Sequence, residues 1–269
     1  RRLFGLGIYL NVNSYKVELK TNSVLLILIY SNKPTKPINQ ETSYLSKPRT
    51  LQFWASTMVV LPVFVQAPWV HVFPFSAFLF SFIIFSLGFY LLKFCSDRWS
   101  SIGSLLAGVS WSWLGGCLFW GWLRAHPVWH LPVESIALPI ALSLLKTRWK
   151  IGASFYLASL LGTAFTDAMI VLTGVMKAWP EVVDAPFSEA SKMLSFTAEQ
   201  LLEPFSLFAI LIAALLIILI ANWMHQKSKN ESLSSDAWVV SSSALTTTLW
   251  VDGLFLATTL NQPQQSGLI

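Results

Sequence analysis

The sequence predicts an all-α, polytopic transmembrane bundle of about seven helices, and two observations support that prediction. The chain of 269 residues is 54% hydrophobic and only 12% charged. Soluble domains usually carry about 25% charged residues, so this chain has too little polar surface to face water on all sides. Seven segments are also apolar over the roughly 20 residues that a helix needs to cross a bilayer. The composition therefore excludes a soluble globular enzyme, a disordered regulator and a repeat fibre.

The seven predicted spans are separated by short polar or proline-containing connections. Pro74 separates the first two, Asp97-Arg98 the next pair, residues 124–127 precede the fourth and residues 146–150 follow it. Because the connections around the fourth span are so short, spans 3, 4 and 5 are expected to be antiparallel neighbours. The predicted spans are residues 51–71, 75–94, 101–123, 127–145, 151–176, 204–224 and 238–259.

The chain divides into a tail, a bundle and a short end segment. Residues 1–50 hold eight Lys and Arg residues and are expected to form a basic, disordered tail. No Met precedes Met58, which leaves open whether this tail belongs to the native protein. Residues 51–260 form the predicted transmembrane bundle, and residues 261–269 form a short C-terminal tail.

The distribution of positive charge predicts that the N-terminus is cytoplasmic. With that orientation, 15 of the 18 Lys and Arg residues lie on the inner side, as cytoplasmic loops require. The net charge of +5 is explained in the same way, and we expect no nucleic-acid partner. Cys95 and Cys117 are isolated and are interpreted as small apolar residues.

One connection on the predicted outer side is long and amphipathic. Its acidic residues lie among apolar residues at helical spacing, which predicts a helix on the outer surface over residues 180–203. Two roles fit this segment: packing over the bundle, or docking of a partner. The apolar residues are Phe187, Ala190, Leu194, Ala198 and Leu201.

Two spans carry stripes of small residues, each four positions apart. Such stripes let helices approach closely in lipid, where apolar burial gives little drive for association. The third and fifth spans are therefore expected to contact each other, and a packing role is favoured over chemistry. The stripes are Ser104, Gly108, Ser112 and Gly116 on span 3, and Ser154, Ala158, Gly162 and Thr166 on span 5.

Three acidic residues lie inside predicted spans: Glu134, Asp167 and Asp252. An ionisable group there costs about 2.5–3.5 kcal/mol on insertion scales and is a candidate functional site by default. All three are expected roughly 10–14 Å below the outer helix ends, at 1.5 Å per residue. Three interpretations are open: internal charge compensation, a path for an ion, proton or solute, and enzymatic acid–base chemistry.

Histidines accompany one of these acids. His126, His130 and Glu134 follow each other at intervals of four and predict a polar stripe on one helix face, which Pro132 is expected to bend. His130 could hydrogen-bond to Glu134, ligate a chlorophyll or haem, or bind a metal. Arg124 lies just above the stripe and is expected to tune the protonation of the acids.

Known catalytic motifs are missing from the sequence. It has no Gly-x-Ser-x-Gly, no His-Glu-x-x-His and no phosphate-binding loop. We therefore expect a protein that is not an enzyme, and the sequence leaves any cofactor unknown.

Several motifs in order resemble a family of cyanobacterial integral membrane proteins catalogued as domain of unknown function 3120. The resemblance covers about residues 51–260 and implies a source in a photosynthetic cell, in the plasma or thylakoid membrane or a plastid equivalent. It implies no activity, because none is assigned to the family. The motifs are residues 64–68 (FVQAP), 110–114 (SWSWL), 120–124 (WGWLR), 130–134 (HLPVE), 162–167 (GTAFTD) and 251–255 (VDGLF).

Two function classes follow. The first is transport or permeation of a small ion or solute through a polar site in the outer half of the membrane. The second is a non-enzymatic accessory or assembly subunit of a photosynthetic membrane complex, with bound pigment. The expected partners are the lipid bilayer and, in the second class, other membrane subunits. An enzyme that modifies lipids or isoprenoids is a weaker third class.

Overall fold

The computed structural model describes residues 48–231 and 234–262. Most of the predicted basic tail, together with residues 263–269, lies outside the described residues. Within the described part, the chain is helical and the first helix begins at Pro48, three residues before the predicted bundle boundary.

The described residues contain seven helical segments that are long and apolar enough to cross a membrane, as predicted. Together with the composition, they make this a multi-pass membrane protein. We number them spans 1 to 7 in chain order. Their bounds are Arg49–Val72, Pro74–Phe94, Trp99–Leu123, Pro127–Leu144, Lys150–Leu172, Pro204–Asn230 and Ser235–Asn261.

Spans 1 and 3 each contain a wider π-helical turn. In span 1 this turn, Pro62–Gln66, joins helix Pro48–Leu61 to helix Ala67–Val72. In span 3, helix Asp97–Leu118 runs into the π turn Phe119–Leu123. Such turns re-aim side chains and are frequent at functional sites. The two turns orient Gln66 and Phe119, and both side chains are buried.

Span 4 is broken, which corrects the prediction of one continuous helix over 127–145. It consists of a 3₁₀ turn, a short α-helix, a second 3₁₀ turn and a final α-helix: Pro127–Trp129, His130–Glu134, Ser135–Ala137 and Leu138–Leu144. The cause lies in the prolines of this span, which lack the N–H that a regular helix needs. His126 precedes the first turn with φ −120° and ψ 74°. The predicted three-residue stripe is therefore only a His130–Glu134 pair.

Two helices connect spans 5 and 6, where the sequence predicted one. They are Val175–Asp184 and Phe187–Gln200, called here the connecting pair. Gly174 directly precedes the first helix. Its φ of 80° is a left-handed backbone conformation that glycine adopts readily. Val182, Ala190 and Leu194 pack together in a small core. Phe187 is exposed, contrary to its expected place on the apolar face.

Spans 3 and 5 contact each other through Ser104 and Gly108 of the predicted stripe on span 3, but the residue of span 5 that meets them is Gly152, which lies outside the predicted stripe. A Cβ on Gly152 would collide with the carbonyl oxygen of Ser104 and lie 2.9 Å from the backbone nitrogen of Gly108. The stripe of span 5 contacts span 7 instead: a Cβ on Gly162 would lie 2.7 Å from Cγ2 of Thr248. Gly116 faces the amide of Gln66 in span 1. Small residues thus serve close packing, but they join different pairs of spans.

The centre of the bundle is formed by spans 1, 3, 5 and 7. Each contributes side chains that are almost fully buried to one apolar cluster, which Trp54 and Met58 flank. The cluster contains Leu51, Ala55, Val59, Leu105, Val109, Ile151, Phe155, Ala158, Val240 and Ala244.

Candidate functional site

His130 forms a bridge between two of the predicted intramembrane acids. Its Nδ1 lies 2.9 Å from Oδ1 of Asp167 on span 5, and its Nε2 lies 3.2 Å from Oε1 of Glu134. The three side chains are between 12% and 20% exposed, so they are mostly buried but still accessible. We call these three residues the His130 cluster. The predicted partner Glu134 is in contact with the ring, and the hydrogen bond to Asp167 was not predicted.

The break in span 4 positions this cluster. The Tyr156 hydroxyl of span 5 donates a hydrogen bond to the backbone carbonyl of Glu134, at the point where regular helix gives way to a 3₁₀ turn. A Cβ on Gly115 of span 3 would lie 3.1 Å from Cα of Glu134, so a glycine permits this close approach. The Phe119 ring lies 4.3 Å from the His130 ring and covers one of its faces.

Asp252 lies beside the cluster and is held by a neighbouring span. Its Oδ2 accepts a 2.7 Å hydrogen bond from the Thr166 hydroxyl of span 5. Thr166 directly precedes Asp167 in span 5, so this hydrogen bond brings Asp252 next to the His130 cluster. The hydroxyl of Thr248, four residues earlier on the same helix, donates to the carbonyl of Ala244 instead. Glu134 and Asp167 thus contact His130, and Asp252 contacts the residue that precedes Asp167.

The electrostatics of this region favour the sharing of protons. Three carboxyl groups and one imidazole lie in a layer that is largely removed from water. Each ring nitrogen of His130 has a carboxylate oxygen within 3.2 Å, so a proton on the ring faces an acceptor on either side. A protonated His130 offsets the charge of one carboxylate, so the proton on the ring is part of what stabilises the arrangement.

Arg124 lies elsewhere than expected. Its guanidinium lies 2.6 Å from Nδ1 of His71 on span 1. Its backbone carbonyl accepts a 2.8 Å hydrogen bond from Nε1 of Trp179 in the connecting pair. Arg124 therefore ties span 1 and the connecting pair to the end of span 3, and its charged group faces His71 rather than the three acids.

The contacts of His130 bear on the ligand roles considered for it. Both ring nitrogens face carboxylates, so ligation of a metal or a pigment would require one contact to break. Within residues 48–231 and 234–262, no group of three or more His, Cys, Asp and Glu side chains is arranged to hold a metal ion.

Gln66 is a buried polar residue that the candidate site from the sequence did not include. It is 1% exposed, and its Nε2 donates to the carbonyl of Trp113 at 2.5 Å and contacts Sγ of Cys117 at 3.1 Å. The signal was present in the sequence, since Gln66 lies between two prolines in an apolar span. Its contacts couple the π turn of span 1 to span 3.

Fold and site together define a class: a multi-pass membrane protein whose described residues form seven spans, with a mostly buried acid–histidine cluster. A comparison with family models then identifies the family. The model described as protein of unknown function (DUF3120) matches residues 55–260. The chain belongs to this family, which confirms the resemblance seen in its motifs. No curated protein and no solved structure matches the chain.

Proposed function

We propose that this protein is a non-enzymatic permeation or transport protein, in which protons on the His130 cluster accompany a small ion or solute. The supporting observation is the position of the His130 ring, with a carboxylate at each nitrogen. Ionisable groups inside membrane spans are costly and are typical of ion paths and proton relays. Its proposed location is the plasma or thylakoid membrane of a cyanobacterium, or a plastid equivalent.

The chemistry of imidazole supports a relay. Either ring nitrogen can carry a proton, so the ring can accept a proton at one nitrogen and release one from the other. In this protein the two nitrogens face different spans, Glu134 on span 4 and Asp167 on span 5. Asp252 provides the next carboxyl group in the same layer. The same occupancy of both nitrogens favours this role over pigment ligation by His130.

The proposal is tested by proton flux into liposomes. Purified protein is reconstituted with a trapped pH-sensitive dye, and a potassium diffusion potential drives protons inward. Wild-type protein is expected to exceed empty liposomes, whereas His130→Gln and Asp167→Asn lower the rate by at least about tenfold, as a lost proton-transfer group does. Asp184→Asn, at an exposed aspartate of the connecting pair, is the matched control and keeps the wild-type rate.

Two results would contradict the proposal. One is a wild-type rate equal to that of empty liposomes. The other is an unchanged rate in folded Asp167→Asn and His130→Gln protein. An absorption spectrum of the same preparation bears on the second function class, because bound pigment with photosystem subunits and no flux would support an accessory role.

A further inference from the structure

A cluster of positive charge lies where the end of span 2 meets the connection between spans 4 and 5. It consists of Lys93 in the last turn of span 2, with Lys146 and Arg148 in the connection, and all three side chains are exposed. We call these three residues the basic cluster. Cytoplasmic connections are generally rich in Lys and Arg, but that rule does not fix the position of individual side chains. In this protein, contacts fix two of the three.

Arg148 is held at the end of span 2 by a backbone carbonyl. One of its guanidinium N–H groups donates a 3.0 Å hydrogen bond to the carbonyl of Leu92. The last carbonyls of a helix lack partners within that helix and carry partial negative charge, so they attract a cation. The guanidinium has five N–H donors in a fixed fork, and the contact with Leu92 uses only one of them. Arg148 can therefore keep this contact and bind an anion as well.

Lys93 is positioned by stacked aromatic rings. Its ammonium lies 5.5 Å from the centre of the Phe89 ring, a distance typical of a cation–π contact. The Phe89 ring stacks on the ring of Trp149, with 6.0 Å between the centroids, and Trp149 directly follows Arg148 in the chain. Two separate contacts, one through Leu92 and one through Phe89, thus bring Lys93 and Arg148 to the same end of span 2.

Neighbouring acids do not neutralise the basic cluster. Within the described part of the chain, none of its three members forms an ion pair with a carboxylate. Asp97, which begins the helix of span 3, is the acid closest to Lys93 along the chain and is itself exposed. Asp236 of span 7 interacts with Lys150, which we therefore leave out of the cluster. Because like charges held together repel each other, an anion bound among the three cations is stabilised.

The surroundings of the basic cluster favour a lipid over a soluble anion. Exposed apolar side chains flank it, since Tyr90 and Phe94 of span 2 and Leu145, next to Lys146, are 56%, 64% and 38% exposed. Acyl chains contact such side chains, whereas a free anion would gain nothing from them. Basic sites between spans at the membrane surface typically bind anionic lipid headgroups. Charge and apolar surface therefore lie side by side, as they do in an anionic lipid.

We propose that the basic cluster binds the phosphate of one anionic phospholipid, whose acyl chains lie against Tyr90, Phe94 and Leu145. The guanidinium of Arg148 presents a fork that matches two phosphate oxygens, and the two lysines act as point charges. A lipid bound in this way joins the end of span 2 to the connection between spans 4 and 5. The site shares no residue with the His130 cluster and does not depend on the proposed proton relay.

Equilibrium binding of radiolabelled dioleoyl phosphatidylglycerol tests the proposal. The full chain is immobilised on beads in a mild detergent, and beads without protein correct for lipid in micelles. Saturable binding of about one molecule per chain is expected. Unlabelled dioleoyl phosphatidylcholine, whose headgroup has no net charge, is expected to compete at least about tenfold less well. Lys93→Gln and Arg148→Gln are each expected to weaken binding about fivefold, as the loss of one cation near an anionic lipid does.

Matched variants separate this site from general surface charge. Lys229→Gln removes an exposed lysine near the end of span 6, and Lys177→Gln removes an exposed lysine of the connecting pair. Both variants are expected to bind phosphatidylglycerol like the wild type. Arg148→Lys keeps the charge but loses the planar fork, and is expected to weaken binding less than Arg148→Gln does. Thermal unfolding confirms that each variant is folded.

Four results would overturn the lipid site. They are equal affinity for the two lipids, wild-type affinity in folded Lys93→Gln and Arg148→Gln protein, an equal loss of affinity in Lys229→Gln, and displacement of the lipid by inorganic phosphate. The third result would indicate attraction to diffuse surface charge, and the fourth would indicate a site for a free anion. His130→Gln is expected to lose proton flux and keep lipid binding, so the failure of either proposal is distinguishable from the failure of the other.

Discussion

Nδ1 of His130 lies 2.9 Å from Oδ1 of Asp167, and this contact joins span 4 to span 5 through an ionisable pair. Span 4 is broken by 3₁₀ turns on both sides of its His130–Glu134 helix. The pair therefore lies where the backbone of the span is least regular. Its contribution to stability can be measured separately from any role in permeation.

The first prediction concerns coupling between the two members of this pair. His130→Gln leaves the Asp167 and Glu134 carboxylates without a compensating charge. Removing one partner of a fully buried pair costs about 3–5 kcal/mol, and the partial exposure of these side chains reduces that to about 1–3 kcal/mol. Asp167→Asn in the same chain is expected to recover part of the loss. Urea unfolding in mild detergent of both single variants and the double variant measures the coupling. If the losses in unfolding free energy of the two single variants add up to that of the double variant within about 0.5 kcal/mol, the two residues are not coupled.

The second prediction compares two glycines within spans. Gly152→Ala forces a Cβ against the backbone of Ser104 and Gly108, and is expected to destabilise the protein by about 1–3 kcal/mol or more. Gly253→Ala is the control, because its Cβ meets no atom of the described residues within 4 Å. This control is expected to be neutral or stabilising by up to about 1 kcal/mol, since alanine loses less backbone entropy than glycine. Equal unfolding temperatures for the two variants would contradict the close contact of spans 3 and 5.

The third prediction concerns pH and the connection between spans 6 and 7. Nε1 of Trp238 donates a 2.9 Å hydrogen bond to Glu231, and the Lys227 ammonium lies 3.4 Å from the other carboxylate oxygen. These contacts lower the pKa of the exposed Glu231 below its ordinary value of 4.5. Folding therefore favours the ionised carboxylate. Its contribution to stability is full above the unfolded pKa and is lost as pH falls through the folded value.

Thermal unfolding between about pH 6 and about pH 3 measures this effect. Glu231→Gln is expected to remove this part of the pH dependence, and Trp238→Phe to reduce it, because the hydrogen bond is the larger cause. Glu189→Gln, at an exposed carboxylate of the connecting pair, is the control. A wild-type slope in Glu231→Gln would contradict the assignment.

The fourth prediction concerns orientation in the membrane. The charge distribution places the connecting pair outside and the connection between spans 4 and 5 inside. In a chain with Cys95→Ser and Cys117→Ala, a cysteine introduced by Asp184→Cys is expected to react with an impermeant maleimide in intact cells. A cysteine introduced by Lys146→Cys is expected to react only after the membrane is opened. Both positions are exposed. The reverse labelling pattern would show that the protein has the opposite orientation in the membrane.

The sequence alone determined the number of spans, and it predicts a common layer for the three acids. Both depend on the length of apolar segments and on residue counts from span ends, which are properties of the chain in one dimension. Helical spacing also identified stripes of small residues on spans 3 and 5. The prediction of one continuous helix for span 4 was wrong. The combined effect of the prolines in this span depends on whether neighbouring side chains stabilise 3₁₀ turns. Tyr156 provides one such contact.

Only the tertiary structure decided which partners meet. Asp252 pairs with Thr166 of another span rather than with Thr248 of its own. Arg124 pairs with His71, and the unanticipated Gln66 contacts span 3. The physical reason is that contacts between spans depend on how far each helix is rotated about its axis. Packing of the whole bundle sets that rotation, and a one-dimensional pattern does not contain it.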